Sequence, residues 1–301
     1  MFTNLKSLIC NSKLTLYLFL LPAIMMVMVF AIYPLLYNFS LSVHEVTSST
    51  LLSEDRPFVG LNNYKEVILE PDFIEILRNT LVFSIFSVLF QFLFGLAFAL
   101  FFHQEFPLHK PLRGLLLIGW VIPPAVIGTI WRWLFNCDIG VINYFLNMIG
   151  IGSVGWLVTQ TFAMSSVLVA NIWFAIPFNM ILMTSGLVSI PNSIHDAAAI
   201  DGTTFFQKLW HIIIPMIKPN IYATIILDII YTFRSFPLIW NMTKGGPVNA
   251  TTVLPVWSYI QSFNFFNFGA GTAIAVIILL LLLIISIIYI KFFVGKEEGV
   301  L

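Results

Sequence analysis

The sequence predicts an all-α membrane protein with six transmembrane helices, and its composition and hydropathy support this fold class. Of the 301 residues, 59% are hydrophobic and only 9% are charged, whereas soluble domains carry roughly 25% charged residues. The mean hydropathy is +0.96. A helix that crosses a bilayer needs roughly 20 mostly apolar residues. Runs of about this length recur near residues 14–37, 76–102, 112–135, 162–185, 220–240 and 269–293.

The first apolar run is predicted to remain in the protein as a span. A cleaved signal peptide is the alternative, but its apolar region is typically shorter and ends in small residues at the cleavage site. Here the run ends on the bulky residues Tyr33, Leu35 and Tyr37. We therefore expect this run to be the first span.

The distribution of cations places both termini in the cytoplasm, because cytoplasmic loops carry an excess of Lys and Arg. With six spans, the opposite loops carry few cations, and eight of the cations fall on one side: Lys6, Lys13, Lys110, Arg113, Lys208, Lys218, Lys291 and Lys296. The first loop on the opposite side is acidic. We expect one multi-pass domain over residues 1–301 in a bacterial-type cytoplasmic membrane. The formal net charge of zero gives no indication of a nucleic-acid partner.

The polar loop between the fourth and fifth runs predicts two short helices. Ser193, followed by Asp196 three residues later, fits a capping box at the start of the first helix. Gly202 suits the left-handed conformation that ends a helix. Thr204 and Gln207 fit a second capping box. The pattern predicts a helix–turn–helix on the cytoplasmic face.

A smooth face of small side chains is predicted on the first of these helices, formed by Ala197, Ala198 and Ala199. Such a face allows the close approach of a partner protein. The alternative is an interfacial helix pair on lipid headgroups, which favours a face of Lys and Arg, and the first helix lacks one. Under the docking hypothesis, charge reversal at Asp201 or a bulky residue at Ala198 should abolish the functional coupling that depends on contact with the partner.

The same loop carries a recognisable motif. It contains the run Asp196-Ala197-Ala198-Ala199-Ile200-Asp201-Gly202, followed by Phe206 and Ile214-Pro215. This run resembles the EAA motif of ABC importer membrane subunits, which in that family forms the coupling helix that docks into a cleft of the ATPase subunit. Asp196 replaces the usual leading glutamate, and His195 stands where an aromatic residue is usual. The resemblance implies a coupling role for Ser193, His195, Asp196, Ala197, Ala198, Ala199, Asp201, Gly202 and Phe206.

The resemblance extends over nearly the whole chain. Further matching segments follow in the family's order: Leu18-Phe19-Leu20-Leu21-Pro22-Ala23, Val59-Gly60-Leu61-Asn62-Asn63-Tyr64, Asn171-Ile172-Trp173-Phe174-Ala175-Ile176-Pro177-Phe178 and Thr243-Lys244-Gly245-Gly246-Pro247. The last of these segments, together with Gly186-Leu187-Val188-Ser189-Ile190-Pro191, points to the carbohydrate-importing branch, the maltose and glycerol-phosphate type. The implied fold is a type I ABC importer transmembrane domain. The implied partners are a second homologous permease in a heterodimer, two ATPase subunits that bind ATP-Mg, an extracytoplasmic sugar-binding protein and the lipid bilayer, with no cofactor on this chain.

The resemblance also implies a sugar path between two membrane subunits, along the third, fourth and fifth spans. Carried over position by position, it involves Pro124, Gly128, Asn171, Phe174, Ala175, Phe178, Tyr231, Thr232, Phe233 and Arg234. An amide among aromatic rings suits a carbohydrate, because the rings stack on its apolar faces and the amide binds hydroxyls. The alternative is that these rings only pack against one another.

Two ionisable residues fall within the fifth run, Asp228 and Arg234. Ionisable residues inside a membrane are costly and are functional candidates by default. Their spacing of six excludes the helical i,i+4 pairing, so each is expected to have a partner elsewhere. A structural hydrogen bond is the alternative for Asp228. Arg234 either snorkels to the outer interface or favours an anionic ligand.

Catalytic motifs are absent from the sequence. It contains no G-x-x-x-x-G-K-[ST] phosphate loop, no H-E-x-x-H metal motif and no convincing nucleophile set. We therefore expect a non-enzymatic subunit, with ATP hydrolysis on a separate chain and no metal site. One rival is an ATPase-independent secondary solute transporter, which would need more intramembrane carboxylates than Asp228. The other is a membrane-embedded enzyme, which the missing catalytic cluster disfavours.

Overall fold

The computed structural model describes residues 12–53 and 56–291. Within these residues the protein is helical, and its one extended pairing is an isolated bridge between His44 and Phe58. The predicted all-α fold class is confirmed. The helices are α1 (Ser12–Val27), α2 (Tyr33–Ser42), α3 (Asn62–Leu69), α4 (Phe73–His103), α5 (His109–Val121), α6 (Pro124–Leu134), α7 (Val141–Met148), α8 (Gln160–Val188), α9 (Asn192–Ile200), α10 (Phe205–Lys208), α11 (Ile214–Met216), α12 (Lys218–Thr232), α13 (Phe236–Thr243), α14 (Leu254–Tyr259) and α15 (Phe268–Tyr289).

Four helical stretches are long and apolar enough to cross a membrane: Phe19–Ser42, α4, α8 and α15. Two further candidates are bent pairs. Helices α5 and α6 meet at 100°, and the segment Phe205–Met216 meets α12 at 75°. With each bent pair counted as one span, the described residues contain up to 6 candidate spans, the number that the sequence predicts. The first helical segment of the second pair, Phe205–Met216, lies in the predicted loop and outside the predicted run 220–240.

The predicted run 220–240 differs from the structure, because it is not one helix. Helix α12 ends at Thr232 and α13 begins at Phe236. Pro237 lies in the first turn of α13, where its missing N–H removes no helical hydrogen bond. The same residue inside a continuous helix would remove such a bond and clash with the preceding turn. The proline therefore favours the start of a new helix after a short break.

The chain divides into two compact units, Met1–Leu69 with Ser258–Val276, and Glu70–Trp257 with Ile277–Leu301. In the first unit, the Asn63 side chain donates to the carbonyl oxygens of Ser42 and His44 at 2.8 and 2.9 Å. Gly269 lies against the same side chain, since a Cβ there would come within 2.9 Å of Asn63 Nδ2. These contacts join α2, α3 and the start of α15. Organisation as a single domain stays a prediction.

In the second unit, α4 packs against α8. Gly95 permits their close approach, because a Cβ at this position would lie 2.3 Å from the Asn179 Cβ. Helices in a bilayer associate through such close packing and through interhelical hydrogen bonds rather than through the hydrophobic effect. Asn171 on α8, for example, donates to Ser87 Oγ on α4 at 2.9 Å. Small residues and buried amides thus hold this unit together.

A buried apolar cluster lies beside the loop that carries α9 and α10. It joins α4, α8 and the approach to α12 and consists of Leu96, Ala99, Phe102, Met180, Met183, Leu187, Ile190, Ile213, Ile217 and Ile221. Ile190 precedes α9 and Ile213 follows α10. Both ends of the loop are therefore anchored in the packing of the spans.

Candidate functional site

A cavity of about 350 Å³ in the second unit lies between two helix breaks, one between α5 and α6 and the other between α12 and α13. Irregular backbone at membrane depth is tolerated where it lines a cavity or is buried in protein, and both helix breaks border this space. The lining residues are Gln91, Trp120, Pro124, Asn171, Phe174, Ala175, Phe178, Asp228, Tyr231, Thr232, Arg234, Ser235, Pro237 and Leu238. The breaks at Pro123 and after Thr232 therefore shape the site.

Most of the predicted path residues line this cavity, and two do not. Gly128 packs against α13, because a Cβ there would lie 2.6 Å from the Leu238 carbonyl oxygen. Phe233 is buried and is not among the lining residues. Gln91 and Trp120 line the cavity but were not predicted. Gln91, a polar residue within an apolar run, is a signal that the sequence does contain.

Three aromatic rings form a continuous part of the wall. Trp120 and Phe178 stack with centroids 5.4 Å apart and an interplanar angle of 21°. Phe178 then meets Tyr231 edge-on at 5.3 Å. Aromatic faces of this kind offer area for an apolar ligand face, and the Tyr231 hydroxyl adds a polar group. The wall can therefore hold a ligand with both apolar and polar faces.

Asn171 connects three helical segments around the cavity. Its Nδ2 donates to Ser87 Oγ at 2.9 Å, and its Oδ1 accepts from Ser235 Oγ at 2.9 Å. Its backbone carbonyl accepts from Gln91 Nε2 at 3.4 Å. The side chain is 3% exposed, and one amide N–H remains beyond these bonds. Asn171 therefore holds Ser235, at the helix break, against α4 and α8. A ligand contact of its amide stays a prediction.

The two intramembrane charges have different surroundings. Asp228 is 1% exposed, and its Oδ1 accepts from Asn179 Nδ2 at 2.9 Å, which is the structural hydrogen bond considered from the sequence. Arg234 lies in the break after α12 and is exposed. In the described ranges no ion pair joins it to Asp228, as their spacing predicts.

The loop between α8 and α12 forms the predicted helix–turn–helix. Thr204 and Gln207 form a capping box, in which Thr204 N donates to Gln207 Oε1 at 2.8 Å and Gln207 N donates to Thr204 Oγ1 at 3.4 Å. Gly202 has a φ of +68°, the left-handed value expected. The prediction of a capping box at Ser193 is wrong. Helix α9 begins at Asn192, with Pro191 as its N-cap residue and no side-chain cap, so Ser193 already lies inside the helix.

The alanines of α9 do not share one outward face, contrary to the prediction. Ala198 is 3% exposed, and its carbonyl accepts from Thr203 Oγ1 at 2.8 Å, whereas Ala197 and Ala199 are exposed. The helical period of 3.6 residues turns the middle alanine inward. Asp196 and Asp201 also lie at the surface.

Large apolar side chains project from the same loop. Ile200 is 87% exposed, Phe206 69% and Phe205 53%. We call these three residues the loop tip. The ring centroids of Phe205 and Phe206 lie 5.5 Å apart, and large apolar side chains exposed together indicate an interaction site.

His195 faces inward from α9. Its ring centroid lies 6.2 Å from that of His103 at the end of α4, and its Nε2 is buried with no hydrogen-bond partner in the described part of the chain. Burial lowers the pKa of His195 below its ordinary value, and the positive charge of Lys208 and the neighbouring His103 lower it further, against a smaller opposing effect of Asp196. A neutral imidazole fits this position.

Comparison with known proteins assigns the region that contains the cavity and the loop tip to one family. Residues 91–296 match the model of the binding-protein-dependent transport system inner membrane component family. This match covers most of the chain, including the cavity and the loop tip. The chain belongs to this family. Its relatives are membrane components of transport systems, and the sequence resemblance to ABC importer membrane subunits is confirmed.

Individual members of this family align over almost their whole length. The chain is 34% identical to the trehalose/maltose transport system permease protein of Thermococcus litoralis, covering 91% of this chain and 92% of that protein. It is 30% identical to the sulfoquinovosyl glycerol transport system permease protein of Agrobacterium fabrum, over 95% and 92%. It is also 30% identical to the diacetylchitobiose uptake system permease protein of Streptomyces coelicolor, over 95% and 88%.

A solved structure shows the same fold. A chain of the bacterial alginate ABC transporter, in complex with its alginate pentasaccharide-bound periplasmic protein, superposes with a TM-score of 0.80 over 93% of both chains. The sequence identity is 20%. The family member described here therefore has the fold of an ABC importer transmembrane subunit.

Proposed function

We propose that this chain is the membrane-spanning permease subunit of an ATP-driven importer and forms half of the path for a sugar or oligosaccharide. The observation that carries the proposal is the cavity of about 350 Å³ between two helix breaks, walled by the rings of Trp120, Phe178 and Tyr231. A pyranose has apolar faces that stack on aromatic rings and hydroxyls that bind polar side chains. Three relatives are named for the transport of trehalose/maltose, sulfoquinovosyl glycerol and diacetylchitobiose, and a fourth is named for sn-glycerol-3-phosphate.

The proposal includes a second homologous permease that completes the path in a heterodimer, as the resemblance to ABC importer membrane subunits implies. An extracytoplasmic binding protein would deliver the sugar, as the family description implies. Two ATPase subunits, each binding ATP-Mg, would supply the energy. Both termini of this chain would lie in the cytoplasm, on the same side as the loop tip.

The loop tip is the proposed contact with the ATPase. Ile200 and Phe206 present apolar surface beyond the folded loop, while Ile190 and Ile213 tie the loop to the spans. Movement of the ATPase subunits would reach the cavity through these anchored ends as a rigid-body motion of the helices. Ala198 belongs to the loop's own packing, so a bulky residue there would act by unfolding the loop rather than by blocking the partner.

Co-purification tests the proposal. A tagged form of this chain should retain an ATPase subunit, and Ile200→Asp should release it, because a charge at the centre of an apolar contact is desolvated without a partner. Ile151→Asp is the matched control, since Ile151 is also exposed but lies in the loop before α8. Retention of the ATPase by Ile200→Asp, or equal loss in both variants, would contradict docking through the loop tip. Sugar uptake without any ATPase would instead support the secondary transporter.

A further inference from the structure

Asp228 and Asn179 leave complementary atoms without partners at the wall of the cavity. Asn179 Nδ2 donates to Asp228 Oδ1 at 2.9 Å. Asp228 Oδ2 and Asn179 Oδ1 are both buried and have no hydrogen-bond partner among the described residues. An ionised carboxylate in this position would be buried within the membrane with no ion pair among the described residues, which is strongly unfavourable.

A single proton satisfies both atoms. A protonated carboxyl group has one O–H donor, and an amide oxygen is an acceptor. A proton on Asp228 Oδ2 that is donated to Asn179 Oδ1 would close a cyclic acid–amide pair between α12 and α8. The same residue would then present no net charge to the cavity.

With Asp228 neutral, Arg234 carries the one net charge among the described side chains that line the cavity. It lies in the break after α12, is exposed, and has no ion pair within the described ranges. The other lining side chains, apart from Asp228, are aromatic, aliphatic, amide or hydroxyl groups. A guanidinium binds carboxylates and other oxyanions in a bidentate geometry, with hydrogen bonds stronger than those between neutral groups.

We propose that Asp228 is a neutral acid paired with Asn179, and that the cavity takes an acidic carbohydrate whose oxyanion is bound by Arg234. This inference rests on the proposed function and names the substrate class of the same cavity. A sugar with a carboxylate would stack on the Trp120–Phe178–Tyr231 wall and direct its charge to the helix break.

A matched pair of probes tests the charge preference. Digalacturonate and its methyl diester have the same sugar skeleton and differ in charge. Equilibrium binding to the purified importer complex should favour digalacturonate by about tenfold or more, the ratio that a charge-assisted hydrogen bond produces. Arg234→Gln should bring the ratio close to one. Lys244→Gln is the control, because it removes a cation that lies outside the cavity lining, and it should keep the wild-type ratio.

The acid–amide pair has its own spectroscopic test. Infrared spectra of the complex at neutral pH should contain a protonated-carboxyl C=O band that disappears in Asp228→Asn. That variant should keep the preference for digalacturonate, because an amide can pair with Asn179 as the acid does. Loss of the preference in Asp228→Asn, or no such band in the wild type, would overturn the neutral pair.

The outcomes separate this inference from the proposed function. Equal binding of the two probes by a complex that still couples ATP hydrolysis to uptake of a neutral sugar would overturn the acidic-substrate inference alone. A complex that moves no sugar at all would overturn the proposed function. Binding of digalacturonate with the expected ratio, lost only in Arg234→Gln, supports both.

Discussion

Gly128 gives the sharpest test of how the cavity wall is assembled. The family resemblance puts it in the sugar path, but the structure places it in the contact between α6 and α13. A Cβ at this position would lie 2.6 Å from the Leu238 carbonyl oxygen and 3.1 Å from the Asn241 Cβ. Because the nearer atom belongs to the backbone, it cannot rotate away as a flexible side chain would. Gly128→Ala should therefore separate the two helices and destabilise the protein.

The expected change in the free energy of unfolding of Gly128→Ala follows from two opposing effects. Overpacking of a tight contact costs typically about 1–3 kcal/mol, whereas replacing a helical glycine by alanine stabilises the helix by up to about 1 kcal/mol. Gly114→Ala isolates the first effect, because Gly114 lies inside α5 and a Cβ there would meet nothing within 4 Å. The two variants gain similar helix propensity. The free energy of unfolding of Gly128→Ala should therefore be lower than that of Gly114→Ala by the cost of the clash, about 1–3 kcal/mol.

The assay is thermal unfolding of the purified complex, followed by the loss of its monodisperse peak on size exclusion. Gly128→Ala should unfold at a lower temperature than the wild type, and Gly114→Ala at the same or a slightly higher one. Equal unfolding temperatures for the two variants would refute the close contact with Leu238. Weaker sugar binding by Gly128→Ala at wild-type stability would return Gly128 to the sugar path.

Three further predictions concern the cavity and the loop. Asn171→Leu should leave the buried hydroxyl of Ser87 without its partner, at about 1–3 kcal/mol of unfolding free energy, whereas Ser235 keeps its bond to the Tyr231 carbonyl; a thermal unfolding assay measures the loss. Tyr231→Ala should weaken sugar binding by roughly 0.5–1.5 kcal/mol or more while Tyr231→Phe retains most of it, and equal affinities in the two variants would argue against stacking. The pKa of His195 is lowered in the folded loop. The neutral imidazole therefore contributes its full share of stability above the unfolded pKa of about 6.5. This contribution is lost as the pH falls from there through the lower folded pKa, because protonation then favours the unfolded loop. ATPase retention by the wild type should decline below about pH 6.5, and His195→Gln should flatten that part of the profile if the imidazole is its cause.

Local signals in the sequence predicted the fold well. Apolar length alone indicated the spans, and Thr204 with Gln207 formed the capping box that their spacing predicts. The same spacing rule failed at Ser193, because Pro191 had already started α9. The break after Thr232 was missed because apolar length does not distinguish one helix from two that meet at a proline.

Contacts between distant residues account for what the sequence did not show. Asn179 and Asp228 are separated by 49 residues, and Asn171 and Ser235 by 64, so no spacing rule pairs them. The assignment of Gly128 depended on which side of α6 faces the cavity, and that is decided by the packing of α13. The inward turn of Ala198 likewise follows from its contact with the rest of the loop rather than from composition.

Uptake into proteoliposomes is the measurement that tests coupling through the loop tip most directly. The complex would be reconstituted with its ATPase and binding protein, with ATP-Mg supplied on the side of the loop tip and labelled sugar supplied with the binding protein on the other side. The wild type should accumulate sugar only in the presence of ATP, and Ile200→Asp should abolish accumulation while Ile151→Asp preserves it. Accumulation by Ile200→Asp at the wild-type rate, or accumulation by the wild type without ATP, would contradict an importer driven through this loop.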